Sequence, residues 1–324
     1  MHISIIYLFI LFFSIQSLFS QNKLEKEKNR IVGEGMALYT LILSNWTSND
    51  IYYEHEFNTK IIQGYLSYKD KDTVKTIFWR ELDTISAEYK ARTFKNVGDT
   101  DIVAEQQQKK PADMRIIHKT IRYQKMIITK KNAEVVEDER EPTDYEKMLM
   151  NFRATTYKMI NSDTAYFKRY EGTQLKVVLL DEGKIVKSYI YSSSMDDAVV
   201  PIGGDYLITF DKKLNEIIEK YPLHNSLILL ATEYKGKSYD ASKSTHHNHK
   251  GKFGSNLITP TDVAMLLLYK NRMEWDEHHV VSDKYTCIFT LVDRKLQIIS
   301  TAEFNYMKKK RTEQDKETGK SNWH

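Results

Sequence analysis

The sequence predicts an α+β protein: a helix and a β-rich N-terminal region, then a second region in which helices and strands alternate on a mixed sheet. Three observations lead there. Residues 22–46 carry Ile31, Met36, Leu38, Tyr39 and Ile42 at helical spacing behind a charged start. From Ile51 to about Lys131, β-branched and aromatic runs are separated by turn-like clusters. After Pro142, a capping box, a hairpin signal and a helix start follow in turn.

The first element is a leader. An apolar run from Ile3 to Phe13, broken only by Ser4, is followed by a stretch ending at Ser20 and by charges from Lys23. This predicts a secretory signal peptide over residues 1–20 and a mature chain starting near Gln21, periplasmic or secreted. The alternative is an uncleaved N-terminal anchor. The run is short for a membrane span, which needs ~20 apolar residues, and no later stretch is apolar enough to span. No Cys lies near the cut, which excludes a lipoprotein.

An exported chain whose one cysteine is Cys287 has no internal disulfide, so burial must stabilise it. The 21 Tyr and 13 Phe supply the apolar area for that. Cys287 sits in the strand-like run Tyr285 to Leu291 and is expected in the core rather than as a nucleophile. The net charge of +4 is local, because Met307-Lys-Lys-Lys-Arg311 opens a basic tail, expected to be disordered over 307–324. Basic residues do not interleave with aromatics, so no nucleic-acid partner is expected. Asn45-Trp46-Thr47 matches a glycosylation sequon.

In the N-terminal region, residues 61–68, 73–79 and 126–129 read as strands, with turns at 69–72 and 96–99. The polar stretch from Lys130 to Glu141 marks a boundary between regions 21–140 and 141–306. The second region opens with the capping box Thr143-Asp-Tyr-Glu146, with Tyr145, Met148, Leu149, Phe152 and Met159 on one helical face. Strands at 175–180 and 185–191 flank Asp181-Glu-Gly-Lys184, a hairpin signal. Leu214, Ile217, Ile218 and Tyr221 predict a helix over 211–221. Residues 226–232 read as a buried strand, 260–269 as a helix, and 280–281, 285–291 and 296–300 as closing strands.

One segment is chemically distinctive. His247-x-His249 follows a strand, and Thr259-x-x-Asp262 opens the next helix. In an extended segment, residues two apart point to one side, so both imidazoles can meet one ion, with Asp262 as a third ligand. Two imidazoles, a carboxylate and a water form an open site of the kind catalytic zinc uses. The plainer reading is a helix start alone: Thr259 as N-cap, Pro260 at the first helical position, and Asp262 facing the helix dipole. His55, His118 and His224 show no partner in the sequence and are expected to be structural, and His278 and His279 to open a strand at a sheet edge.

The His-x-His segment and the Thr-x-x-Asp helix start resemble the JAB/MPN-type metalloprotease (JAMM) motif, and the element order from about 143 to 300 is similar to that fold. The resemblance implies a JAMM-like domain over 141–306, with His247, His249 and Asp262 as zinc ligands. It implies Thr259 in place of the family serine and Glu171 as the nearest candidate for the family's catalytic glutamate. Lys250 stands where the family has proline, and the gap from His249 to Thr259 is longer than usual. The mature chain also resembles an uncharacterised family of exported bacterial proteins that keep a similar His-x-His and Thr-x-Thr-Asp segment. The function implied is a zinc-dependent hydrolase of amide or isopeptide bonds acting on a protein or peptide. The alternatives are a non-catalytic envelope or secreted binding protein on a degenerate JAMM-like scaffold, and an unrelated α+β domain with an accidental histidine loop.

Overall fold

The structure is a computed structural model that describes residues 2–55, 62–81, 115–137, 139–196, 199–231, 233–234, 237–238, 244–249, 256–273 and 276–317; the side chains of 1–21, 81, 231–246, 273 and 315–317 are left out. The expected turn at 96–99 lies outside the described residues. The chain divides into two compact units, and the α+β class is observed. The expected boundary at 130–141 falls inside the unit formed by residues 38–195 and 205–221.

That unit holds the end of helix α1 (His2–Glu54). Its Ser44 and Ser48, one helical turn apart, form a buried polar seam with the sheet beneath: Ser44 Oγ lies 2.8 Å from Thr76 Oγ1, and Ser48 Oγ 2.8 Å from Tyr123 Oη. The sheet is the antiparallel meander β1 (Gly64–Asp70), β2 (Thr73–Glu81), β3 (Arg115–Tyr123) and β4 (Ala133–Val136). Residues 126–129 do not form the expected strand. A 3-10 turn at Gln124–Met126 leaves Met126 and Ile127 exposed, and the strand lies just before it in β3. Two consecutive left-handed residues, Lys125 and Met126, explain the break.

Helix α2 (Asp144–Ser162) starts as its capping box predicts, with Thr143 and Glu146 bonding reciprocally. The Glu146 carboxylate also accepts from Tyr68 Oη at 2.8 Å and from both Arg140 terminal nitrogens at 2.7 and 2.8 Å. Burial alone would raise its pKa, but these donors and the Thr143 N–H lower it from 4.5 to about 2. The apolar face of α2 carries Leu149, Phe152 and Ile160 into a cluster with Ile77, Ile117, Val186, Ile190 and Phe210. Each fully buried side chain of this kind stabilises by roughly 1.5–3 kcal/mol. The second sheet of the unit has the order β5 (Thr173–Asp181), β6 (Ile185–Ser194), β8 (Tyr206–Asp211), β9 (Glu216–Pro222), with the intervening β7 (Val199–Gly203) in the other unit. The β5–β6 hairpin turns where Asp181-Glu-Gly-Lys184 predicts.

The helix expected over 211–221 is instead a turn and strand β9. Asp211 Oδ1 accepts from the Lys213 and Leu214 N–H groups, each at 2.8 Å, and Asn215 adopts φ +58°. That side-chain-capped turn reverses the chain. The β-branched pair Ile217-Ile218 then lies on the edge strand, and both are exposed.

The other unit, residues 1–37, 196–204 and 222–324, is built on a mixed sheet. Strand β13 (Ser244–His249) runs parallel to β14 (Glu277–Ser282), and β15 (Tyr285–Thr290) and β16 (Lys295–Ser300) follow antiparallel. The parallel step needs a crossover, and helix α3 (Pro260–Met273) provides it. Strands β7 and β10 (Leu227–Ala231) pair with each other, and β11 (Glu233–Tyr234) with β12 (Lys237–Ser238). Residues 226–232 were expected to be buried by composition, yet Ile228 and Leu229 are exposed, because β10 belongs to a two-stranded ladder. Cys287 is fully buried as expected, and burial pushes its thiol pKa up to about 12. The C-terminal tail is not disordered throughout: Thr301–Glu317 form helix α4, exposed along its basic run, and 318–324 lie outside the described residues.

Candidate metal centre

Strand β13 alternates as its sequence pattern requires. His247 and His249 are buried and Asn248 between them is exposed. The His249 Nδ1 lies 3.0 Å from the Leu257 carbonyl, which only accepts. Nδ1 therefore carries a proton, and in the neutral ring Nε2 presents its lone pair. That lone pair faces two other ring nitrogens, His247 Nε2 and His224 Nε2, each 2.9 Å away. One in-plane lone pair can accept well from only one of them.

Helix α3 brings the carboxylate. Thr259 N–H and Thr259 Oγ1 both donate to Asp262 Oδ2 at 2.9 Å, and Asp262 N–H donates back to Thr259 Oγ1 at 3.1 Å. The capping role is thus real, and one oxygen performs it. The other oxygen, Oδ1, is buried and makes no hydrogen bond of acceptable geometry; His224 Nε2 stands 3.1 Å from it. Burial works against a charged Asp262, yet the His224, His247 and His249 rings outweigh it and hold the carboxyl well below the usual range.

His224 is the residue the sequence did not reveal. It lies in the short link between β9 and β10, remote from the His-x-His motif. The signal for it is Gly203, which has φ +81°. A Cβ there would stand 2.7 Å from the Ser226 carbonyl and 3.2 Å from the His224 ring. Glycine lets the link and its imidazole close onto β7.

His224, His247, His249 and Asp262 each offer one donor atom, all within 4.8 Å of one another, and this cluster can hold a metal ion. Metal–ligand bonds of ~2.0–2.1 Å at tetrahedral angles separate donors by about 3.3 Å. His249 Nε2 lies 2.9 Å from the Nε2 atoms of both His247 and His224, and Asp262 comes within 3.1 Å of His224 through Oδ1 and within 3.8 Å of His247 and His249 through Oδ2, so the donors lie around that value with 4.8 Å as their outer limit. An outer contact supports the strand: His247 Nδ1 lies 2.8 Å from Nε2 of His278. His278 is fully buried in β14, which runs between β13 and β15 rather than at the edge expected from sequence.

Of the residues singled out in the sequence, the structure brings His247, His249, Asp262 and Thr259 together. Glu171 is not among the converging groups; it is exposed in the turn leading into β5, in the unit of residues 38–195 and 205–221. Asp262 is the one carboxylate of the cluster. A cavity of about 230 Å³ opens beside it, lined by His224, His247, His249 and Asn248. Together these features define an α+β protein with a buried three-histidine, one-carboxylate centre. Comparison with protein-family models, with curated proteins and with solved structures finds no match. Among the described residues, no helix is long and apolar enough to cross a membrane.

Proposed function

We propose that this is an exported zinc protein whose centre is closed and non-catalytic, serving a binding role outside the cytoplasm. The observation that carries this reading is the convergence of four protein donors on one point. Zinc with four protein ligands is a structural centre, and catalytic zinc keeps one position open. No second carboxylate in the cluster offers a general base. Bound zinc would tie the β9–β10 link, strand β13 and helix α3 together, so its binding free energy would be folding free energy. Export rests on the apolar run from Ile3 to Phe13 and the small residue Ser20 before the charged segment. N-terminal sequencing should start near Gln21; an intact Met1 in the membrane fraction would overturn that part.

The cavity beside His224 favours a second reading, a JAMM-like hydrolase of amide or isopeptide bonds in a protein or peptide. There His247, His249 and Asp262 would hold the zinc, which supplies Lewis-acid chemistry, and His224 would face the substrate. Zinc titration of the metal-stripped full chain at pH 7 separates the readings. Both expect one equivalent. On the closed reading, His224→Ala loses zinc as severely as His249→Ala. On the hydrolase reading, His224→Ala keeps its zinc and the substituted cobalt protein gains an absorption change with added azide. A wild-type chain that takes up no zinc overturns both.

A further inference from the structure

A second site lies in the unit of residues 38–195 and 205–221, built mainly on helices α1 and α2 and strands β5 and β6. Strands β5 and β6 pair Gln174 with Ser193 and Lys176 with Tyr191, so alternation places all four on one face. Helix α2 places Arg153 and Tyr157 four residues apart on one side. These side chains, with Asn49 of α1, line a cavity of about 280 Å³, and no carboxylate is among its lining residues.

The two cations that line this cavity differ from the carboxylate-paired cations of the unit. Arg80, Lys119, Arg140, Lys187 and Lys212 each pair with a carboxylate. Among the described residues, Arg153 and Lys176 make no ion pair and no hydrogen bond. The Arg153 guanidinium carbon lies instead 4.6 Å from the Tyr157 ring centre and 5.3 Å from that of Trp79. The rings attract the cation without taking up its N–H donors, which stay available to an oxyanion. Lys176 is partly buried, and burial followed by the charge of Arg153 lowers its pKa. Two positive charges facing one cavity with no internal counter-ion repel each other, and a bound anion removes that repulsion.

We propose that this cavity binds a small organic oxyanion, a carboxylate or a phosphate ester, with Arg153 and Lys176 taking the charged group and Gln174 and Ser193 bonding beside it. The volume lies at the small end of known ligand sites and suits a compact metabolite rather than a polymer. Its residues are separate from the histidine cluster, so the proposal stands whether or not zinc binds.

The test is calorimetric and thermal titration of the full chain at constant ionic strength with inorganic phosphate, acetate and, as a neutral control, glucose. Phosphate or acetate should bind saturably and raise Tm, and glucose should do neither; whichever anion binds identifies the charged group. Lys176→Gln and Arg153→Gln should each weaken binding about tenfold. Ser193→Glu supplies the missing negative charge from within, so it should raise Tm in the absence of ligand and abolish the anion response. That variant keeps the test decisive if an Arg153 substitution fails to fold. The response should persist in His249→Ala, which lacks a zinc ligand. The proposal is overturned if neither anion binds saturably, if Lys176→Gln binds as wild type does, if Ser193→Glu still responds, or if His249→Ala abolishes the response.

Discussion

The two units bury different chemistry. In residues 38–195 and 205–221, two antiparallel sheets and α2 enclose Ile77, Ile117, Leu149, Phe152, Ile190 and Phe210, an apolar cluster that needs only exclusion of water. In the other unit, Val263, Leu266 and Phe289 are equally buried, but so are Asp262, His247, His249 and His278. An apolar cluster stabilises under almost any solution condition. A buried carboxylate ringed by imidazoles stabilises only when lone pairs and charge are matched by protons or a cation. The apolar cluster should be indifferent to metal, and the histidine-bearing unit should respond to it.

The largest effect should come from the apolar side. Phe152→Ala removes a fully buried ring whose centre lies 4.8 Å from that of Phe210 and should destabilise by about 3–5 kcal/mol. Chemical denaturation should show the same loss with zinc and with chelator; a loss confined to one condition would break the distinction between the units. Next is the metal itself. Zinc at a hundredfold over its dissociation constant should stabilise the histidine-bearing unit by about 2.7 kcal/mol, and chelation should remove that. Limited proteolysis should then cut within 222–300 while 143–195 stays protected; equal protection with and without chelator would contradict the prediction.

Acid gives a third contrast. The Glu146 pKa is lower in the fold than its ordinary value of 4.5, at about 2, so its stabilisation is complete above pH 4.5 and fades as pH falls toward 2. Glu146→Gln should lose roughly 1.5–3 kcal/mol at neutral pH, because the charge facing Arg140 is removed and one of the two accepting oxygens becomes an NH2 donor. Urea midpoints at pH 7 and pH 3 should differ less in the variant than in wild type. The smallest effect belongs to the α3 cap. Thr259→Ala should cost about 1 kcal/mol, and Thr259→Ser almost nothing. Zinc content should be unchanged in both, since Thr259 is not a ligand; loss of zinc from the Ala variant alone would show that the cap positions Asp262.

Local signals were legible where one short-range interaction decides the geometry. The α2 capping box, the β5–β6 turn and the α3 start all form where their residues indicate. Strand alternation likewise put His247 and His249 on one side. The stretch 211–221 misled because Leu214, Ile217 and Ile218 fit helical spacing, while one Asp211 oxygen capping two N–H groups set a turn that periodicity does not register. His224 was hidden for a different reason. It reaches the centre through the pairing of β7 with β10, a tertiary event with no local spacing to announce it. Glu171 was singled out for proximity to a strand start, and chain proximity carries no information about which groups converge.

The division of labour on Asp262 bears on how related chains should be compared as they diverge. Oδ2 serves the helix and Oδ1 faces His224, so selection for a stable helix start would keep the aspartate even in a lineage that had abandoned its ion. Its persistence would be a poor marker of a working centre. His224 has no such second duty to the backbone of α3, and neither does the glycine at 203 that makes room for it. In drifting descendants, His224 should be among the first to change once the ion is lost, while Gly203 stays fixed by its positive φ and the Ser226 carbonyl.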